Sequence, residues 1–261
     1  MWVEKLARLG YAAKGIVYGL VGILAVMAAF SSGGKTTDTK GSLHTIAAQP
    51  FGSFLLILVA IGLIGYVLWR FVQAITDPDN KGTDAKGIAT RIGYALSGFI
   101  YGGLAAQAIF LATDSSKSGG GKSKEDWTAL VLQQPFGRWL VALGGALLIG
   151  LGFYRIYRAY KIKFRKKLDL TELDSTQETW AVRISRIGIT ARGIVFVMLG
   201  FFLIQASVQY NPDKARGLDG ALQTIARQPF GKILLGLMAI GLIAYGIYMW
   251  IQARYRRIKT S

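Results

Sequence analysis

The chain contains no cysteine, and it has only one histidine and 14 aspartate or glutamate residues among its 261. The absence of cysteine excludes disulfides, thiolate metal ligands and thiol nucleophiles. A single histidine, His44, cannot by itself build a zinc or haem site. The sequence therefore predicts no catalytic residue, no cofactor and no metal. A membrane enzyme that depends on His44 is the less favoured alternative.

Acidic residues are also missing from the body of every long apolar segment. Proton relays and cation-coupled carriers usually place a carboxylate inside the bilayer, so the sequence disfavours both classes. The 31 lysines and arginines give a formal net charge of +17. No nucleic-acid recognition module accompanies this charge, and nucleic acid is not an expected partner. Anionic membrane lipid is the expected partner of such basic residues.

Hydrophobic residues are abundant, at 52% of the chain, and the mean hydropathy is +0.38. A helix needs about 20 apolar residues to cross the hydrocarbon core of a bilayer. Six segments reach this length, so the sequence predicts an all-α integral membrane protein with six transmembrane helices. Their approximate bounds are 10–30, 51–75, 92–112, 136–160, 188–208 and 230–253.

The six segments form three copies of a two-helix unit. Each copy opens with Arg-x-Gly, at Arg8, Arg91 and Arg186, and Gln-Pro-Phe-Gly begins 41, 43 and 42 residues after the arginine. Such regular spacing marks an internal repeat. The predicted units are repeat 1 (1–76), repeat 2 (77–160), a charged linker (161–179) and repeat 3 with a basic tail (180–261). Each repeat crosses twice, which predicts three parallel helical hairpins with pseudo-threefold symmetry about the membrane normal.

These repeated motifs resemble a group of bacterial six-helix membrane proteins known as a domain of unknown function. The resemblance covers nearly the whole chain, from about residue 5 to residue 254. It implies a protein of the bacterial cytoplasmic (inner) membrane, and it implies no reaction, substrate or catalytic residue.

The basic residues predict the orientation of the helices. If both termini and the second and fourth connections share one side, that side collects 21 of the 31 lysines and arginines. Cytoplasmic loops carry such an excess, so both termini are predicted to be cytoplasmic. Each outer connection is expected to contain a short surface helix, and the inner connection at 161–187 is expected to contain amphipathic surface helices.

Small residues recur along the first helix of each repeat. Close approach of backbones drives helix packing in lipid, so these glycines predict tight contacts, either around the pseudo-axis or against the second helix of the same repeat. The predicted packing residues are Gly15, Gly19, Gly22, Gly98, Gly102, Gly193 and Gly200.

Basic residues recur near the inner end of the same helices. Nearly two turns beyond the arginine of each repeat lie Lys14, Ser97 and Arg192. If these positions face the axis, the predicted anion or lipid-headgroup site consists of Arg8, Arg91, Arg186, Lys14 and Arg192. If they face outward, they extend to lipid phosphates, which is the favoured interpretation.

The resulting functional prediction is a non-catalytic scaffold or accessory protein. Its basic cytoplasmic face is expected to bind anionic lipid, and also a protein partner or a second copy of the chain. The alternative is a small anion channel or carrier that uses the arginine tier, Arg8, Arg91 and Arg186, at its inner mouth.

Overall fold

The computed structural model of the protein describes residues 2–30, 39–48, 50–113, 124–134 and 136–257. Within these ranges the regular structure is helical apart from one isolated β-bridge. The α-helices of the described residues are α1 (Trp2–Phe30), α2 (Thr39–Ala47), α3 (Gly52–Ile75), α4 (Ala85–Thr113), α5 (Lys124–Leu132), α6 (Gly137–Tyr160), α7 (Ser175–Val208), α8 (Leu218–Ala226) and α9 (Gly231–Tyr255).

Six of these helices are long and apolar enough to cross a membrane, which confirms the predicted number. They are α1, α3, α4, α6, α7 and α9, and their most apolar windows have mean hydropathies between 1.6 and 2.3. Six such helices are typical of a multi-pass membrane protein.

The first helix of the third repeat begins earlier than the apolar pattern predicted. The Asp174 carboxylate accepts the backbone N–H of Gln177 at 2.8 Å and so caps α7. No proline or glycine interrupts residues 175–187, and the helix runs unbroken into the apolar segment. The prediction of separate amphipathic helices on the inner surface was therefore wrong. The connection at 161–174 instead consists of turns, including a 3₁₀ turn at Arg165–Lys167.

Short helices occupy the outer connections, as predicted, and each ends just before Gln-Pro-Phe-Gly. The phenylalanine of this motif takes the left-handed conformation in all three repeats, with φ of 59°, 62° and 59°. The following glycine begins the long helix. At Gly231 an added Cβ would lie 2.0 Å from the carbonyl oxygen of Ala226, so only glycine fits this turn.

The long helices pack across repeats. The first helix of each repeat lies along the second helix of another, in the pairs α1 with α9, α4 with α3, and α7 with α6. Contacts within a repeat add α1 with α3 and α7 with α9. The helices therefore follow the spatial order α4, α3, α1, α9, α7, α6.

The expected pseudo-threefold arrangement is incomplete in the middle repeat, because α4 and α6, both fully described, do not pack against each other. The glycine of the Arg-x-Gly motif shows how the middle repeat differs from the other two. A Cβ at Gly10 or Gly188 would lie 2.5 or 2.4 Å from the backbone nitrogen of a tyrosine in the second helix of the same repeat. A Cβ at Gly93 would meet no atom within 4 Å. We call the space between α4 and α6 the open side.

The glycines of the first helices mostly contact the second helix of another repeat, which neither predicted alternative included. The clearest case is Gly200, where a Cβ would lie 2.4 Å from the carbonyl oxygen of Gly145. At Gly19 the backbone nitrogen would lie 2.9 Å from a Cβ built on Gly246. A Cβ at Gly102 would meet nothing within 4 Å. The remaining glycines face α9 from α1 (Gly15, Gly22), α3 from α4 (Gly98) and α6 from α7 (Gly193).

Candidate functional site

The arginines that open the repeats lie at one end of the bundle, which we call the arginine end. Arg8 donates hydrogen bonds to the carbonyl oxygens of Ala253, at 2.8 Å, and of Arg254. Arg91 donates to the carbonyl oxygens of Ala74 and Ile75, both at 2.8 Å. These carbonyls belong to the last turns of α9 and α3, where helical partners are missing and the helix dipole is negative.

The third arginine makes a different contact at the same end. The Arg186 guanidinium carbon lies 5.5 Å from the centre of the Tyr160 ring, at the end of α6. Each arginine of the tier therefore belongs to a different helix pair. Two of the three use their donors on backbone carbonyls of the protein itself.

A partly buried carboxylate joins the three repeats at the arginine end. Asp79, which lies between α3 and α4, pairs with Lys167 at 2.9 Å and with Arg256 at 3.5 Å. Tyr94 and Gln73 donate to the same carboxylate oxygen at 3.0 Å each. We call this group of five residues the Asp79 clasp.

Electrostatics within the clasp shift two pKa values in the same direction. Burial opposes ionisation of Asp79, but the charges of Lys167 and Arg256 outweigh it and lower the Asp79 pKa to about 2. Burial and repulsion from Arg256 outweigh attraction to Asp79 and lower the Lys167 pKa to about 8. At neutral pH the Asp79 carboxyl is therefore ionised and the Lys167 amine is mostly protonated.

A second polar group lies inside the bundle, and Lys14 is at its centre. The Lys14 side chain is only 6% exposed, and its ammonium group donates to the Tyr66 hydroxyl at 3.0 Å. The ammonium lies 4.4 Å from the ring centre of Tyr101 and 4.6 Å from that of Tyr66. Tyr18 completes this cage and shares a 3.2 Å hydroxyl contact with Tyr101. Cation–π attraction is strong at a desolvated site of this kind.

Arg155 of α6 and Arg192 of α7 extend this group. Their guanidinium carbons lie 4.6 and 4.4 Å from the centre of the Phe196 ring. Arg192 also lies 4.8 Å from the Tyr18 ring centre, which links it to the cage around Lys14. We call the whole group the cation–aromatic belt. Its members are Lys14, Tyr18, Tyr66, Arg70, Tyr101, Arg155, Arg192, Phe196 and Tyr245.

A chain of hydrogen bonds connects the belt to the Asp79 clasp. Arg70 donates to the Tyr66 hydroxyl at 2.7 Å, the same oxygen that Lys14 contacts. Arg70 also donates to Gln73 at 2.8 Å, and Gln73 donates to Asp79. This chain links the charge of Asp79 to one end of the belt and leaves Arg155 and Arg192 outside it.

Of the members of the belt, only Lys14 and Arg192 were predicted from the sequence. The sequence does contain a signal for Arg70 and Arg155, because both lie at the same distance after Gln-Pro-Phe-Gly. Met249 occupies the equivalent position in the third repeat. An aromatic residue also stands ten positions after each repeat arginine. These residues are Tyr18, Tyr101 and Phe196.

Exposed lysines form a surface at the arginine end. Lys161, Lys163 and Lys166 are exposed on the connection after α6, and the exposed rings of Tyr157 and Trp180 lie on the adjoining helices. Aromatic rings beside basic residues are typical of a membrane–water interface. We call these three lysines the lysine surface.

His44 lies on α2, and its ring nitrogen is 3.4 Å from the side-chain nitrogen of Gln107. In the part of the chain that the structure describes, no group of three or more histidine, aspartate or glutamate residues is placed to hold a metal ion.

Comparison with known proteins agrees with the repeat structure. The family described as Domain of Unknown Function (DUF1206) matches residues 9–77, 92–161 and 187–256. The chain belongs to this family. A DUF1206 unit thus corresponds to each two-helix repeat, as the repeated motifs indicated. An uncharacterised Bacillus subtilis (strain 168) protein, YxxB, is 37% identical over 257 residues, which cover 98% of this chain and 92% of that protein. No solved structure matches the chain.

Proposed function

We propose that the protein is a non-catalytic scaffold or accessory protein of the bacterial inner membrane that binds anionic phospholipid at its arginine end. The lysine surface carries this proposal. Lys161 and Lys166 are exposed and form no ion pair with a described carboxylate. Each such cation near an anionic surface contributes about 1 kcal/mol of attraction. Both termini are cytoplasmic in this proposal, and the three hairpins are parallel.

The nearby acidic groups support this proposal because most of them already have partners. Asp79 is held in the clasp, Glu178 pairs with Arg165, and Glu4 accepts from Arg8. The positive charge of the lysine surface is therefore left for lipid phosphates or for an acidic partner protein.

Lipid selectivity tests the proposal. The protein is reconstituted in vesicles of equal phosphatidylglycerol and phosphatidylcholine, and spin-labelled lipids report which headgroup contacts it. Replacement of Lys161, Lys163 and Lys166 with Gln should reduce the preference for phosphatidylglycerol by at least about fivefold, the effect of losing a single contribution of about 1 kcal/mol. The reduction should be smaller at high salt because exposed charges are screened.

The matched control removes the same charge at the other end of the bundle, with Lys214, Arg227 and Lys232 replaced by Gln. This variant should keep the preference. Equal preference in both variants and in the unchanged protein would contradict lipid binding at the lysine surface.

Anion transport through the arginine tier is the alternative that the sequence leaves open. The contacts of Arg8 and Arg91 with backbone carbonyls give it no support, since a gate needs donors that an anion can reach. Flux in proteoliposomes that disappears when Arg8, Arg91 and Arg186 are replaced by Gln would favour it over the scaffold.

A further inference from the structure

The two guanidinium groups beside Phe196 have no hydrogen-bond acceptor among the residues that the structure describes. Neither Arg155 nor Arg192 donates a hydrogen bond to, or pairs with, a residue that the structure describes. Each guanidinium carries five N–H donors. A charged group without acceptors inside an apolar helix is costly, so such residues mark functional sites by default.

Both side chains contact Phe196, whose backbone lies farther from the arginine end than theirs. Phe196 lies one turn beyond Arg192 along α7, which starts at that end. Helix α6 finishes at the arginine end, and Arg155 lies three residues closer to that end than Gly152 does. Gly152 contacts Val197, the neighbour of Phe196 in α7. An arginine that reaches for lipid phosphates extends toward the nearer interface. These two side chains instead lie against the Phe196 ring between α6 and α7.

The surroundings of the pair are positive. Lys14 and Arg192 approach the same Tyr18 ring, at 5.9 and 4.8 Å from its centre. In the six apolar helices that are long enough to cross a membrane, the acidic residues are Glu4 and Glu178, which lie in the first turns of α1 and α7 at the arginine end. Among the described residues, aromatic rings and hydroxyl groups surround the three cations, so an anionic ligand is suited to neutralise them.

The open side gives a ligand access to this region. Neither α6 nor α7 packs along α4, although Tyr101 of α4 and Arg192 of α7 both reach α1. Large apolar side chains are exposed on the helices that border the opening. They include Leu96, Phe99 and Ile100 of α4 and Leu143, Leu147 and Leu151 of α6.

We propose that Arg155, Arg192 and Lys14 bind a phosphate group that enters the bundle through the open side. Two guanidinium forks match the oxygens of a phosphate, and the ammonium adds a third charge. A phospholipid headgroup and a free phosphate ion share this chemistry. The apolar borders of the opening favour the phospholipid, whose acyl chains would remain between α4 and α6. This site is separate from the lysine surface, so either proposal stands if the other fails.

Binding of three probes to the purified protein in an uncharged detergent tests the site. The probes are dioctanoyl phosphatidic acid, dioctanoylglycerol and inorganic phosphate, and titration calorimetry reports their affinities. Phosphatidic acid should bind, and dioctanoylglycerol, which lacks phosphate, should not. Arg155→Gln and Arg192→Gln should each weaken phosphatidic acid binding by roughly ten-fold to a hundred-fold, the usual effect of losing a charge-assisted hydrogen bond.

Arg183→Gln is the matched control, because it removes an exposed arginine from the same helix as Arg192. It should leave the affinity unchanged. Arg192→Lys keeps the charge without the fork, so it should bind more weakly than the unchanged protein and more tightly than Arg192→Gln. This variant decides the matter if Arg192→Gln fails to fold.

Binding of inorganic phosphate with the same dependence on Arg155 and Arg192 would support the site with free phosphate as its ligand. The proposal would be overturned if neither phosphate probe bound, or if the two arginine variants bound phosphatidic acid as well as the unchanged protein does. It would also be overturned if Arg183→Gln weakened binding as much as they do.

Discussion

Asp79 is a single acidic residue on which three separate parts of the chain converge. It contacts Lys167 from the connection after α6 and Arg256 from the end of α9, while its own segment follows α3. Backbone hydrogen bonds strengthen this junction, because Asp169 donates to Tyr255 at 2.7 Å and Arg257 donates to Lys167 at 3.0 Å. Loss of the carboxylate would leave two cations facing each other.

Asp79→Asn should therefore lower the free energy of unfolding by about 2 kcal/mol, since it removes one partner of a mostly buried ion pair. Thermal unfolding in an uncharged detergent measures the change. Glu172→Gln is the control, because its pair with Arg254 is exposed and should contribute little. Equal unfolding temperatures for Asp79→Asn and Glu172→Gln would show that the clasp does not stabilise the protein.

The same residue predicts how stability depends on pH. The folded-state pKa of Asp79, about 2, is below its ordinary value of 3.8, so its contribution is present above pH 4 and is lost between about pH 4 and pH 2. The pKa of Lys167, about 8, is below its ordinary 10.5, so stability should rise between pH 8 and pH 10.5 as its charge is lost. Unfolding curves across both windows check these signs. Asp79→Asn should remove the acid decrease.

The internal repeats predicted part of the belt at the level of residues. Comparison of the three copies identified Lys14 and Arg192 as equivalent, because both follow the repeat arginine by six positions. It could not show that Arg155 of another repeat meets Arg192 across Phe196. Comparison of the repeats shows which positions are equivalent, whereas contacts between side chains depend on which repeats pack against each other.

At the level of elements, close backbone contacts hold the helix pairs together. Gly200→Ala would place a Cβ 2.4 Å from the carbonyl oxygen of Gly145, so it should force α6 and α7 apart. We expect a loss of about 1–3 kcal/mol in the free energy of unfolding. Gly102→Ala meets open space and should raise stability by up to about 1 kcal/mol, through higher helix propensity alone. Chemical denaturation of both variants measures the difference, and equal losses would contradict this account of the glycines.

Length and hydropathy were sufficient to predict the six long helices, and the helical spacing of apolar residues predicted the short outer ones. The helix starts were less predictable, because the apolar pattern ends while the helix continues. In α7 the cap at Asp174 sets the start, thirteen residues before the predicted one. A charged segment before an apolar one can form a separate surface helix or extend the long helix. The position of the cap and the absence of a helix breaker decide between the two, and hydropathy detects neither.

At the level of the whole molecule, both described ends of the chain lie at the arginine end, since Arg8 of α1 contacts the last turn of α9. Reporter tags at Ser31 and at Ser261 should therefore report different compartments, and a tag at Thr171 should agree with the one at Ser261. Enzymatic reporters that are active on only one side of the membrane make the measurement. Agreement between the tags at Ser31 and Ser261 would contradict the proposed topology.

The sequence predicted three repeats but not their pairing. Hydropathy and motifs predicted three two-helix units around a pseudo-axis, whereas the first helix of each unit packs most closely on the second helix of a neighbouring unit. The middle repeat even leaves its own two helices apart. Leu151 stands where the other repeats have Tyr66 and Tyr245, so the tyrosine that faces Gly10 or Gly188 has no counterpart opposite Gly93.

The pairing of α1 with α9 has a consequence for chain connectivity. This interface is of the same kind as those of α3 with α4 and of α6 with α7, yet only the latter two are joined by a direct backbone link. A circular permutant could supply the missing link with a short linker from Arg257 to Trp2 and open the chain near Gly82. Repeat order would become two, three, one, and every helix interface would keep both of its partners. The order in which the units are translated is thus separable from the architecture that they form.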